Sequence, residues 1–230
     1  MNKYAAAVML TLALAGIAQG AAAQYADAKS VGPASPWYFG AGLGQTVASI
    51  PEQTIDDINS TLSAANGAAF SVIDKDKHSG GAKFFLGYSF NHYFAVEGGY
   101  AVLGQSSVNM DFRSGLSSVG RFNLIYKMSA AFIDAVGLLP VNDKWSFIGR
   151  VGVSYNRVIA DMNGSPLTLI IASADNSEGK VRAKFGAGLD YNVNPAFTVR
   201  TEWEHYKMPD PLSNQLFNAD AATLSLLFHF

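Results

Sequence analysis

After residue 23 this chain holds no run approaching the ~20 apolar residues that a membrane-spanning helix needs, yet 49% of its residues are hydrophobic. The apolar residues are instead dealt out with period two, in segments of about ten residues. Trp37, Phe39, Ala41 and Leu43 share one face, against Tyr38, Gly40, Gly42 and Gly44 on the other. Phe84, Leu86, Tyr88 and Phe90 oppose Lys83, Phe85, Gly87 and Ser89, and Phe94, Val96, Gly98 and Tyr100 oppose Ala95, Glu97 and Gly99. The pattern returns at Phe147–Tyr155, Val181–Tyr191, Phe197–Trp203 and Leu224–Phe230, where the opposite faces carry Arg150, Lys184, Asp190, Arg200, Glu202 and Glu204 among small residues.

A half-buried sheet in a soluble protein alternates too, so the two faces must be compared. The apolar face is aromatic at the strand ends and aliphatic between them, as the girdles of a lipid-facing wall require. The other face mixes charges with glycine, which suits the narrow lumen of a small closed barrel. Closure also removes the unpaired strand edges that hydrocarbon does not tolerate. The expected fold is therefore all-β: an eight-stranded antiparallel up-and-down transmembrane β-barrel over residues 36–230.

One strand, between Arg121 and Leu139, resists the pattern. Ile133, Ala135 and Leu139 face lipid with Asp134 in the lumen, but giving Tyr126 and Met128 to lipid demands the opposite parity. A bulge near Ala130 and Ala131 would reconcile the halves. Three short turns, at Asn91-His92, Pro140 to Lys144 and Asn192 to Pro195, alternate with long polar connections at about 46–81, 103–121, 158–179 and 208–219. Short periplasmic turns and long extracellular loops have this asymmetry. Within the first loop, residues 49–67 carry a capping-box pattern and a helical spacing of Ile55, Ile58 and Leu62, so a short helix is expected there.

The first 23 residues read as a signal peptide: Lys3 supplies the positive start, Ala5 to Ile17 the apolar stretch, and Ala21-Ala22-Ala23 the small residues before a cut at Gln24. Residues 24–35 then form a periplasmic lead-in. The 16 basic and 18 acidic residues leave no basic footprint for nucleic acid, and the lack of cysteine excludes disulfides and thiolate metal sites. No cofactor or metal site is expected.

The segments 81–104, 138–155, 185–206 and 222–230 resemble strands of the OmpA-type transmembrane domain, in the right order. The resemblance implies outer-membrane location, contact with outer-membrane lipid and lipopolysaccharide, and insertion by the barrel-assembly machinery, for which Phe228 and Phe230 resemble the C-terminal signal. It also implies a lumen ion network, with Glu97 and Arg200 where a gating pair would lie and Arg150 and Asp190 beside them. The family's lysine on the fourth strand is replaced by Val136. Wall tethering through the peptidoglycan-binding domain of longer family members is not expected.

An unpaired charge in that lumen would be costly, so the four should form a hydrogen-bonded network, and a structural plug outweighs a gate. For a hydrolase, Ser225 and His229 share the lumen face, but four residues of strand separate them by about 13 Å. No catalytic residue is assigned. The leading expectation is a structural outer-membrane barrel with at most a narrow, gated small-solute path. The alternatives are a surface adhesin binding a host or phage ligand through long loops and, further off, a lipid-modifying enzyme.

Overall fold

The computed structural model describes residues 36–49, 68–114, 117–165, 176–212 and 215–230. The signal peptide, the lead-in and the expected helix over 49–67, beyond Ser49 itself, lie outside the described residues. Nine strands follow in order: β1 (Trp37–Ser49), β2 (Ala68–Asp76), β3 (His78–Asn91), β4 (Phe94–Ser114), β5 (Ser117–Pro140), β6 (Trp145–Ser165), β7 (Asn176–Asn194), β8 (Phe197–Pro209) and β9 (Leu216–His229). Eight of them form one ring, with antiparallel ladders between sequence neighbours from β3 to β9 and closure by β9 on β1 and β1 on β3. β2 is the outer continuation of β3, broken off at Lys77, and pairs with the far half of β4. Closure registers Tyr38 against His229 and Ser49 against Asn218.

The expected alternation of faces holds along the lower wall of the barrel. Leu43, Phe84, Ile133, Val151, Val181 and Leu224 stand outside and exposed, while their chain neighbours point inward. Room inside comes from glycine. Across the β1–β3 ladder Gly40 faces Phe85 and Gly87 faces Tyr38. A Cβ on Gly40 would lie 2.1 Å from Phe85 Cζ, and one on Gly87 2.2 Å from Tyr38 Cζ. Each aromatic ring thus lies where its partner has no side chain.

Two expectations are corrected. Much of what reads as long loop is strand: β4 and β5 run 21 and 24 residues and stay paired out to Ser114↔Ser117. At about 3.3 Å per residue and a tilt near 40°, they stand roughly 50–60 Å tall, against an apolar band of about 25 Å. They therefore carry the sheet well past one face of a membrane. β6 extends likewise to Ser165.

The second correction concerns β5, whose register against β4 and β6 passes unbroken through Ala130 and Ala131. There is no bulge there. Tyr126 and Met128 point into the barrel, 0% and 2% exposed, on the same side as Asp134. The bulge lies on the neighbouring strand, between Val102 and Gly104 of β4. Gly104 takes φ +84°, the left-handed conformation that glycine adopts without penalty, and the extra residue switches the parity of β4 above it. Ala101 and Leu103 point inward below the bulge, and Ser106, Val108 and Met110 point inward above it.

Candidate functional site: the lumen

The interior is built in three storeys. At the short-turn end a vestibule of about 240 Å³ is lined by Tyr38, Ser146, Asp190, Thr198, Arg200 and His229. His229 Nε2 lies 3.2 Å from Thr198 Oγ1. Ser225 makes no such contact with it, and His229 Nδ1 has no partner, so no carboxylate orients the ring as a catalytic base requires.

Above the vestibule sits a belt of charge. Arg200 grips Asp190 through two parallel bonds, Nε to Oδ1 at 2.7 Å and Nη2 to Oδ2 at 2.8 Å, the fork geometry that suits guanidinium and carboxylate. Its third nitrogen reaches Glu97 Oε1, which also accepts the Tyr38 hydroxyl at 2.7 Å. The other Glu97 oxygen is bound by Arg150. Arg150 donates onward to Glu204 at 2.9 Å and lies 3.1 Å from Glu202 and 3.4 Å from Asp134. All four residues expected in the lumen network therefore meet in one cluster.

Five more charges complete the belt. Lys83 bonds Glu202 and Glu204 at 2.8 and 2.9 Å. Lys184 bonds Asp134 at 2.8 Å and Glu204 at 2.5 Å, and lies 4.0 Å from the centre of the Phe132 ring. Tyr206 donates to Glu204 and Thr223 to Glu202. Four cations and five carboxylates, each at most 4% exposed, thus pair with one another, with one formal negative charge in excess. Val136 is buried inside the wall, and the cations that stand in for a lysine on that strand come from β3, β6 and β7. Lys83, Asp134, Lys184, Glu202 and Glu204 are lumen-facing by parity. Their membership in the network needs the register between strands, which periodicity does not carry.

The third storey is apolar. Leu124, Tyr126, Met128, Val108, Met208 and Phe217 fill the lumen, none more than 3% exposed. Tyr126 stands edge-on to Phe217, and its hydroxyl lies 3.4 Å from the buried Asp210 at the far end of β8. Between belt and plug the void beside Lys83, Glu204 and Tyr206 is about 10 Å³, room for one water at most. Among the described residues no group of three or more histidines and carboxylates is arranged to hold a metal ion.

An antiparallel ring of eight strands, apolar outside and ionic within, is a membrane-spanning β-barrel. The sequence matches the model of the OmpA-like transmembrane domain over residues 33–230, and the chain belongs to that family. It is a barrel of the bacterial outer membrane, a class in which short turns face the periplasm. An uncharacterized protein of Coxiella burnetii is 25% identical over 165 residues, covering 63% of this chain and 66%, just under two thirds, of that relative.

Among solved structures, the attachment invasion locus protein Ail of Yersinia pestis shares 18% identity with a TM-score of 0.50, covering 85% of this chain and 99% of its own. Neisserial surface protein A shares 11% at a TM-score of 0.49, over 85% and 98%. The N-terminal barrel domain of Pseudomonas aeruginosa OprF shares 11% at 0.44, over 85% and 98%. The first of these likenesses carries the fold alone.

Proposed function

We propose that this protein is a structural outer-membrane barrel that is shut at rest, with at most a narrow solute path that opens only when the charged belt and the apolar plug above it both rearrange. The observation that carries this reading is the double filling of the lumen. A solute leaving the vestibule meets first the Arg200–Asp190 and Arg200–Glu97 pairs, then the apolar plug of Tyr126 and Met128. Opening the belt alone leaves the second barrier in place. Among the described residues the lumen offers no nucleophile held by an oriented base, which supports a reading that is not enzymatic. Phe228 and Phe230, outward-facing at the end of β9 and stacked with centroids 6.2 Å apart, are proposed as the segment read by the barrel-assembly machinery.

Planar-bilayer conductance of the refolded barrel tests the reading. The wild type and the Arg200→Ala and Glu97→Ala variants should be silent or give brief, small openings. A variant that thins both storeys, Arg200→Ala with Tyr126→Gly and Met128→Gly, should conduct more. Steady large conductance from the wild type would refute a barrel shut at rest.

A second reading, display of a ligand-binding surface, is favoured by the length of β4, β5 and β6. Shortening the β4–β5 hairpin would abolish attachment of host cells or phage if that surface acts, and would leave the barrel folded.

A further inference from the structure

The barrel wall has a seam. The β7–β8 ladder runs from Asn194↔Phe197 up to Phe185↔His205 and stops. On either side the neighbouring ladders continue, β6–β7 to Ala160↔Asn176 and β8–β9 to Pro209↔Leu216. Above Phe185, residues 176–184 of β7 and 206–209 of β8 are thus unpaired with each other. Asn156 of β6 reaches across behind β7 and donates to the Lys207 carbonyl at 2.8 Å, capping one of the backbone groups released by the split.

Polar groups without partners collect at the same place. Arg182 lies on the inward side of β7, opposite Ser154 of β6. Among the described residues it has no ion pair, and its Nε is buried without an acceptor. Ser154 Oγ and Asn156 Oδ1, on residues 1% and 0% exposed, are likewise unpartnered. A buried guanidinium nitrogen left without an acceptor is costly, and an anion is what it lacks.

The outer surface at the seam has two characters. Lys207 and Arg157 point outward at its height, and Asp220, held by His205 at 2.8 Å, faces outward one ladder step below Lys207. Val181, 61% exposed, stands beside them, and below lies the Phe185 ring packed against Trp203 and His205 with centroids 5.8 and 5.0 Å apart. Trp203 also borders an apolar groove of about 690 Å³ on the outer wall, lined by Leu43, Phe147, Ala187, Leu189 and Leu224. Cation above, aromatic rim between and apolar groove below is the profile of an anionic amphiphile.

We propose that the β7–β8 seam binds the net-anionic phosphate headgroup of an acylated lipid, and disfavours one whose phosphate carries its own cation, with Arg182 as its principal ligand and the chain laid past Trp203 into the groove. The site lies in the wall and is independent of whether the lumen conducts. The outer-leaflet location follows from the short turns being periplasmic.

Native mass spectrometry of the refolded barrel, released from detergent with phosphatidylglycerol or with phosphatidylcholine of the same acyl chains, tests it. The wild type should retain phosphatidylglycerol about tenfold better, the worth of one charge-assisted hydrogen bond. Arg182→Gln should remove that preference and Arg182→Lys should keep part of it. Ala187→Trp, which fills the groove, should weaken retention of both lipids, and Lys127→Gln should change nothing. Equal retention of the two lipids by the wild type, or a preference that survives Arg182→Gln, would overturn the proposal. So would displacement of the lipid by millimolar inorganic phosphate, which would make the ligand a free anion.

Cysteines at Ala183 and Lys207, which a continued ladder would place opposite each other, report on the seam itself. They should cross-link far more slowly than a control pair at Ala187 and Trp203, which the ladder does place opposite each other. Rapid spontaneous cross-linking of the first pair would mean that the seam is closed, and would overturn the proposal as well.

Discussion

Two regions of the same strands are built inside out relative to each other. In the membrane-spanning part β5 turns Ile133 and Ala131 outward and Asp134 inward. Seven residues earlier the same strand turns Lys127 outward, paired with Asp161 at 2.6 Å, and Tyr126 and Met128 inward. β6 repeats this, with Val151 and Val153 outside and Arg150 inside below, Arg157 and Asp161 outside and Val158 and Ala160 inside above. β8 places Arg200, Glu202 and Glu204 inside below Tyr206 and Met208. The backbone parity of β5, β6 and β8 is constant throughout. What changes is the medium against the outer face, lipid below and water above, and the apolar face follows the side that is shielded from water.

The largest effect should come from breaking the ionic region. Arg200→Ala strands Glu97 and Asp190 without their shared cation, and losing one partner of a buried pair costs about 3–5 kcal/mol. Urea unfolding, followed by heat-modifiable gel mobility, should show that loss. An unchanged midpoint would mean that the belt relaxes or hydrates around the gap.

The inversion itself can be tested on one strand with one substitution type. Ile133→Lys puts a cation on the lipid-facing wall and should cost about 2–4 kcal/mol near the bilayer midplane. Ile125→Lys, of the same parity but in the upper region, should cost about 0–1 kcal/mol. Equal costs in folding titrations would erase the boundary drawn between the two regions.

A smaller effect is expected where the parity of β4 switches. Gly104→Ala forces a side chain onto a left-handed residue, with its Cβ 2.3 Å from the Gly80 carbonyl oxygen. The conformation alone costs about 1–2 kcal/mol. Thermal unfolding should register it, and no shift would imply that the bulge moves. The smallest effect belongs to the exposed Lys127–Asp161 pair, where Lys127→Gln should change stability by about 0–1 kcal/mol.

Much of the architecture was legible from period-two alternation alone, because a side chain in a strand has only two faces to choose from. The lipid wall from Trp37 to Phe228, the three short turns and the lumen placement of Glu97, Arg150, Asp190 and Arg200 follow from it. The error at Tyr126 and Met128 has a physical source. Apolar side chains of a barrel strand are expected to face lipid, but above the membrane the side shielded from water is the lumen. The polar stretch at 103–121 read as loop for the same reason, since its outward face meets water.

By itself, then, the amino-acid sequence determined which side chains share a face, how many strands close the ring and which end carries the tight turns, all properties of neighbours along one strand. Only the tertiary structure decided which charges meet, that Arg150 touches four carboxylates from three other strands, and that β7 parts from β8 above Phe185. Those facts depend on register between strands, which is set by the closure of the whole ring and by bulges such as the one at Gly104.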